Sequence, residues 1–195
     1  MLRLGLWQLM GQIYMQINLP NALTITRIVL IPFCVMALFQ NGGDDSTWRT
    51  IAWVGFFLVG MTDLLDGKLA RARNEITELG KFLDPVADKL LIGSAMISVS
   101  ILGYLPWWIT GVILGRELAV TVLRLIVVKR NAGKVIPASR GGKIKTTMQG
   151  FSTGFYVLPL SATFHTPRDL FMYATIAVTL YTGAQYFQAA LKKDK

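Results

Sequence analysis

Apolar residues predominate in six stretches of the chain: Ala22–Phe39, Trp48–Leu65, Val86–Leu105, Pro106–Val128, Thr146–Ser161 and Leu170–Leu191. Each is near the length that a helix needs to cross a bilayer. In lipid such a segment must be helical, because only a helix satisfies its own backbone polar groups. Ahead of them, Leu2, Leu6, Leu9, Ile13 and Ile17 recur at helical spacing, while Gln8, Gln12 and Gln16 fall toward other faces. Residues 1–17 therefore read as an amphipathic helix in the membrane interface, anchored by Trp7 and Tyr14. A cleaved signal peptide fits poorly: the leading segment carries one charge, and the long apolar run starts only after Pro20. The pattern predicts an all-α polytopic membrane protein. It has six transmembrane helices and an N-terminal interfacial helix in one domain, with 18–195 as the bundle.

Composition agrees with a membrane class. Hydrophobic residues make up 53% of the chain and charged residues only 16%, against about 25% charged in soluble domains. The net charge of +9 is unevenly placed. Lys68, Arg71, Arg73 and Lys81 fall in 66–84, and Lys129, Arg130, Lys134, Arg140, Lys143 and Lys145 in 129–145. The segments 40–50 and 162–168 hold only Arg49 and Arg168 as cations. Cationic and near-neutral loops alternate, so the positive-inside rule puts both termini and both basic loops in the cytoplasm. This accounts for the basic balance without nucleic acid as a partner. The single cysteine, Cys34, sits inside the first run and excludes an intramolecular disulfide. GVILG at 111–115 and GFSTG at 150–154 pair glycines four apart, a spacing that allows close helix contact, expected within the subunit, with dimerisation as the alternative. The Gly- and Pro-rich stretch 131–143 is expected to be irregular.

Four aspartates interrupt this apolar pattern: Asp63 and Asp66 end the second run, and Asp84 and Asp88 open the third. An ionised side chain within a span is costly, about 2.5–3.5 kcal/mol at the helix centre, so it is rarely there without a role. Asp63 and Asp66 share one helix face, about 60° apart, and Asp84 and Asp88 lie about 40° apart. The two runs form a hairpin, so the two pairs can meet. Packed carboxylates repel and need cations. Arg71, Arg73, Lys81 and Lys89 are local candidates, but all-oxygen ligation suits Mg²⁺, Mn²⁺ or Ca²⁺ better. Two ions so held clamp a phosphate during in-line displacement. The competing view is a solvated turn, with Asp84 as a helix cap before Pro85. Gly67 and Gly80 leave room for a ligand, Ala70 leaves space one turn after Asp66, and Arg71 offers a fixed cation.

The array Asp63-x2-Asp66-Gly67-x2-Ala70-Arg71-x8-Gly80-x3-Asp84-x3-Asp88 resembles the complete signature of the CDP-alcohol phosphotransferase family. That resemblance implies transfer of a phosphatidyl or similar group from a CDP-linked donor to an alcohol, with release of CMP. It implies Asp63, Asp66 and Asp84 as metal ligands, and Asp88 as both ligand and general base. Gly67, Ala70, Arg71, Thr77 and Gly80 would line the CDP site. Asn21, Thr24 and Arg27 resemble the family's donor-binding segment in the first span. Two Mg²⁺ or Mn²⁺ ions and a homodimer are further implications. Segments 18–32, 115–124 and 142–146 resemble members that use CDP-diacylglycerol and glycerol 3-phosphate.

A small dianionic acceptor needs cations. Arg116 and Arg124 lie within the fourth run, about 80° apart around a helix. Lys134, Ser139, Arg140, Lys143 and Lys145 follow in the next basic loop. These seven are the candidate acceptor-phosphate ligands. The competing view is that Arg116 merely pairs with Glu117 or a metal-site aspartate, and that the loop lysines serve only topology and anionic lipid contact. An inositol phosphate acceptor would use the same cations, and phosphatidylglycerol is a further possibility. A serine acceptor would leave them unexplained. A divalent-cation transporter would place its carboxylates nearer the bilayer midplane, and a mere scaffold would be indifferent to loss of Asp88.

Overall fold

The computed structural model describes residues 19–73, 78–130 and 140–192, with only the backbone given for 19–20, 63–73, 78–79, 81–82, 128–130, 140–141, 143 and 190–192. The expected interfacial helix 1–17, and Thr77, Lys134 and Ser139, lie outside the described residues. Those described are all-α. The six long helices are α1 (Leu19–Leu38), α2 (Ser46–Arg73), α3 (Glu78–Ile101), α4 (Trp107–Arg130), α5 (Arg140–Val157) and α6 (His165–Lys192). They fall into two compact units, Met1–Ala95 and Met96–Lys195, the boundary lying within α3.

Each helix matches one apolar run, but most extend beyond it. Helix α2 continues past the apolar run to Arg73, and α3 begins at Glu78, well before Val86. All four aspartates are therefore helical, and Pro85 sits inside α3 rather than in a first turn. Asp84 is not a helix cap, which removes that alternative. Helix α5 starts at Arg140, so Arg140, Lys143 and Lys145 lie on a helix and not in an irregular loop. The backbone hydrogen-bond ladder does not stop where the lipid-soluble side chains stop, and Gly141 and Gly142 fall in the first turn, where its N–H groups lack intrahelical partners in any case.

The turns are locally determined. Between α1 and α2, Asn41, Gly42 and Gly43 all take positive φ, at 52°, 74° and 85°. Asp45 then caps α2: its Oδ1 accepts from the N–H groups of Thr47 (2.8 Å) and Trp48 (3.2 Å), and Oδ2 accepts from Asn41 (2.9 Å). These bonds, that of Asn41 foremost, hold the Asp45 carboxyl below its ordinary pKa. Helix α3 ends in a Schellman motif. Gly103 has φ 78°, its N–H reaches Ser100 O (3.1 Å), and Tyr104 N–H reaches Val99 O (3.0 Å).

In the first unit α1 and α2 pack side by side. Gly55 of α2 is pressed against Cys34 of α1: an added Cβ would stand 2.8 Å from Sγ. A Cβ on Gly60 would stand 3.5 Å from Leu91 Cδ2, so α3 also packs on α2. In the second unit α6 packs on both α4 and α5. At one end of that pair Tyr156 Oη donates to Asp169 Oδ1 (2.6 Å), Arg168 Nε donates to the same oxygen (2.9 Å), and the Arg168 guanidinium covers the Tyr156 ring at 4.1 Å. Partial burial pushes the Asp169 carboxyl up, but these bonds outweigh it and hold it below the usual range.

Burial runs against the pattern of a water-soluble core. Thr175, Thr179 and Ser152 are fully buried, while Leu118, Leu170 and Tyr181 are more than 60% exposed. Among the described residues one helical window, Asn21–Leu38, with a mean hydropathy of 1.8, is long and apolar enough to cross a membrane by length and composition alone. Elsewhere the inward-facing Ser, Thr and Gln residues dilute the apolar run; Gln149, Ser152 and Thr153 of α5 are examples. At three of the paired glycines the expected contact is not made: a Cβ on Gly111, Gly115 or Gly150 would meet nothing within 4 Å. Gly111 and Gly115 instead floor an apolar cleft of about 450 Å³ between α4 and α6.

Candidate active site

The first cluster lies in the first unit. Helix α1 buries three polar residues on one side, Asn21, Thr24 and Arg27, each at most 2% exposed. Burying an arginine is expensive unless an opposite charge meets it. Helix α3 supplies that charge. Thr24 Oγ1 donates to Asp84 Oδ1 at 2.9 Å, and Arg27 Nη1 stands 3.6 Å from Asp88 Oδ1. Gly80, Asp84 and Asp88 recur every four residues along one face of α3, and Gly80 is buried. Asp84 and Asp88 are partly exposed, so oxygen lone pairs remain for a further ligand.

Asp63, Asp66, Gly67, Ala70 and Arg71 are carried by the last turns of α2. Their side chains are not among those described, so the described geometry joins Asp84 and Asp88 to α1 but is silent on the other aspartate pair. Asn21, Thr24 and Arg27 were expected at the donor. Thr24 and Arg27 also meet the aspartates of α3 directly, contacts that the sequence spacing alone did not indicate.

The second cluster lies in the second unit and centres on Glu117 of α4. Its Oε1 accepts from Lys145 Nζ of α5 (2.6 Å), from Arg116 Nη1 (2.9 Å) and, at 3.4 Å, from Gln149 Nε2. Arg116 Nη2 donates to Thr182 Oγ1 of α6 (3.0 Å), and Gln149 Nε2 also donates to Thr179 Oγ1 (3.1 Å). Arg116 Nε is buried with no hydrogen-bond partner. Arg124 reaches the next turn of α6, donating to Tyr186 Oη at 3.0 Å with its guanidinium 5.4 Å from the ring centre. Of the seven acceptor candidates, Arg116 and Lys145 are thus brought together, while Arg124 bonds a separate partner. Arg140 and Lys143 have only their backbone described.

Sequence reasoning missed Gln149, Thr179 and Thr182, and gave Glu117 no role beyond a partner for Arg116. A signal was present. Thr175, Thr179 and Thr182 recur at helical spacing within an apolar run, which marks a polar stripe turned toward other helices.

Two kinds of comparison bear on this arrangement. Residues 17–181 match the family model for CDP-alcohol phosphatidyltransferase, and the chain belongs to that family of transferases. A Mycobacterium tuberculosis (strain H37Rv) protein named probable phosphatidylglycerophosphate synthase is 50% identical over 175 residues, covering 90% of this chain and 82% of the relative. A Bacillus subtilis (strain 168) protein named CDP-diacylglycerol–glycerol-3-phosphate 3-phosphatidyltransferase is 37% identical over 182 residues, covering 87% of this chain and 93% of the relative. An Escherichia coli (strain K12) protein of the same name is 33% identical over 180 residues, covering 90% and 96%.

Proposed function

We propose that the protein transfers the phosphatidyl group of CDP-diacylglycerol to the sn-1 hydroxyl of glycerol 3-phosphate, giving phosphatidylglycerophosphate and CMP. The names of its relatives support this donor and acceptor. The observation that carries the reading is the signature itself placed on helices, with Asp84 and Asp88 on one face of α3 and gripped by Thr24 and Arg27.

Asp63, Asp66, Asp84 and Asp88 form a hard, all-oxygen donor set that suits Mg²⁺ or Mn²⁺. The partial exposure of Asp84 and Asp88 fits such ligation. When bound, two such ions would clamp the donor pyrophosphate and neutralise charge developing on the departing CMP. Asp88 accepts the proton of the acceptor hydroxyl as that oxygen attacks the phosphorus bearing diacylglycerol. General-base help typically gives about 10²–10⁴-fold, so positioning supplies much of the rest. Thr24 and Arg27 fix the two carboxylates of α3. Asn21, Thr24, Arg27, Gly67, Ala70, Arg71, Thr77 and Gly80 line the CDP moiety. Arg116, Arg124 and Lys145, with Lys134, Ser139, Arg140 and Lys143, serve the acceptor phosphate.

The protein is a single catalytic domain of the cytoplasmic membrane, with six spanning helices, both termini and the site on the cytoplasmic side, and it functions as a homodimer. The apolar surface and polar interior of its helices support a lipid environment. The family match, which runs through both compact units, supports one domain.

The test incubates purified protein with CDP-diacylglycerol and, in parallel, glycerol 3-phosphate, inositol phosphate, serine or phosphatidylglycerol, and identifies the lipid product by mass. Phosphatidylglycerophosphate formed in step with CMP is the expected result. A product from another alcohol, with none from glycerol 3-phosphate, refutes the acceptor assignment.

A further inference from the structure

The chemistry proposed for the acceptor needs two cations aimed at one phosphate, and the second unit contains a device that aims them. Arg116 Nη1 and Lys145 Nζ touch the same oxygen, Glu117 Oε1, at 2.9 and 2.6 Å. The two cationic nitrogens can therefore be no further apart than those two lengths laid end to end, a gap that one phosphate group bridges. Like charges that close separate unless something holds them. Three elements do so. Glu117 of α4 supplies the counter-charge, Gln149 of α5 steadies Glu117, and Thr182 of α6 takes the other arm of the Arg116 fork.

Gly183 completes the socket. A Cβ at this position would stand 2.9 Å from Arg116 Nε and 3.2 Å from its Cγ. The glycine is therefore what lets the Arg116 side chain run close against α6, and Cγ, near the root of the side chain, cannot swing away cheaply. Neither Glu117 nor Gly183 needs to touch substrate for this to matter.

We propose that Glu117 and Gly183 are positioning residues for the acceptor phosphate. Glu117 gathers Arg116 and Lys145 onto one point, and Gly183 lets the Arg116 side chain run close against α6. The phosphate of the acceptor then bridges the two cations that Glu117 keeps together. This rests on the acceptor-binding role given to Arg116 and Lys145 above, and the experiment separates the two.

Glu117→Gln, Gly183→Ala and Arg116→Ala are purified in detergent and assayed with CDP-diacylglycerol and glycerol 3-phosphate, and thermal unfolding is recorded for each. Glu117→Gln keeps the side-chain shape and loses the charge; Gly183→Ala changes no charge at all. Misplacement of a binding group by about 1 Å can cost up to about 100-fold. The expected result is an acceptor KM raised about tenfold in Glu117→Gln and about fivefold in Gly183→Ala, with the donor KM within about twofold of the unsubstituted protein in both. A merely structural role would lower the unfolding temperature and move both KM values together, and that result overturns the proposal. If Arg116→Ala raises the acceptor KM while Glu117→Gln and Gly183→Ala do not, the positioning roles fall and the acceptor assignment stands. If Arg116→Ala leaves the acceptor KM unchanged, the acceptor assignment falls with them.

Discussion

Replacing Thr24 by valine tests the grip of α1 on the proposed metal site. The side chain keeps its shape and loses only the hydroxyl that donates to Asp84 Oδ1 at 2.9 Å. Thr24 is 1% exposed, so no water enters from its side. A hydrogen bond to a charged group contributes about 1.5–3 kcal/mol. Asp84 is partly exposed, so water on its open side recovers some of the loss, leaving about 1–2 kcal/mol. At 1.36 kcal/mol per decade this is about 5–30-fold. If Asp84 ligates metal, the loss appears in kcat/KM at limiting Mg²⁺ and shrinks as Mg²⁺ is raised. The assay is CMP release from CDP-diacylglycerol across a magnesium titration. Thr24→Ser restores the donor and should track the unsubstituted protein. A Thr24→Val protein within about twofold of the parent at every magnesium concentration would refute the reasoning.

Asp88→Asn should abolish CMP release while CDP-diacylglycerol still binds, as measured by nucleotide-displacement binding; substantial turnover would remove Asp88 as base. Gly55→Ala should destabilise the α1–α2 pair by about 1–3 kcal/mol through the 2.8 Å clash with Cys34 Sγ. The penalty should largely vanish in a Cys34→Ala background when the cycle is read by thermal unfolding. Asp45→Ala should lower thermal stability with a defined pH dependence. The folded carboxyl lies below its unfolded value of about 3.9, so its contribution is fully present above that value and is lost as pH falls through the folded pKa. The difference in unfolding temperature should be flat from about pH 5 upward and narrow below about pH 4.

The parts of the fold legible in sequence were those written in long-range hydropathy and in rigid spacing. Six apolar runs became six helices, and the aspartates at 63, 66, 84 and 88 landed on the helices that their spacing implied. Helix ends were less legible, because hydropathy reports the lipid-soluble part of a helix and not its hydrogen-bond ladder. Hence Lys145 was taken for a loop cation when it is a buried helical one. The contacts of Thr24 and Arg27 with Asp84 and Asp88, 60 residues on in the case of Thr24, were hidden because they depend on which faces of α1 and α3 meet. Glu117 was visible as a neighbour of Arg116, yet its link to Lys145 comes from a different helix. Gly111, Gly115 and Gly150 misled for a related reason: spacing shows that two small residues share a face, not what lies opposite.

The account's central claim is that aspartates of α2 and α3 hold the metal that the transfer requires. The direct measurement is Mn²⁺ binding by electron paramagnetic resonance on the purified protein with CDP-diacylglycerol, for the parent and for Asp63→Asn, Asp66→Asn, Asp84→Asn and Asp88→Asn. The account predicts two ions per chain in the parent, fewer or weaker in every variant, and transfer activity that falls in parallel and is abolished by EDTA. Unchanged Mn²⁺ binding in all four variants, or full activity in EDTA, would contradict it.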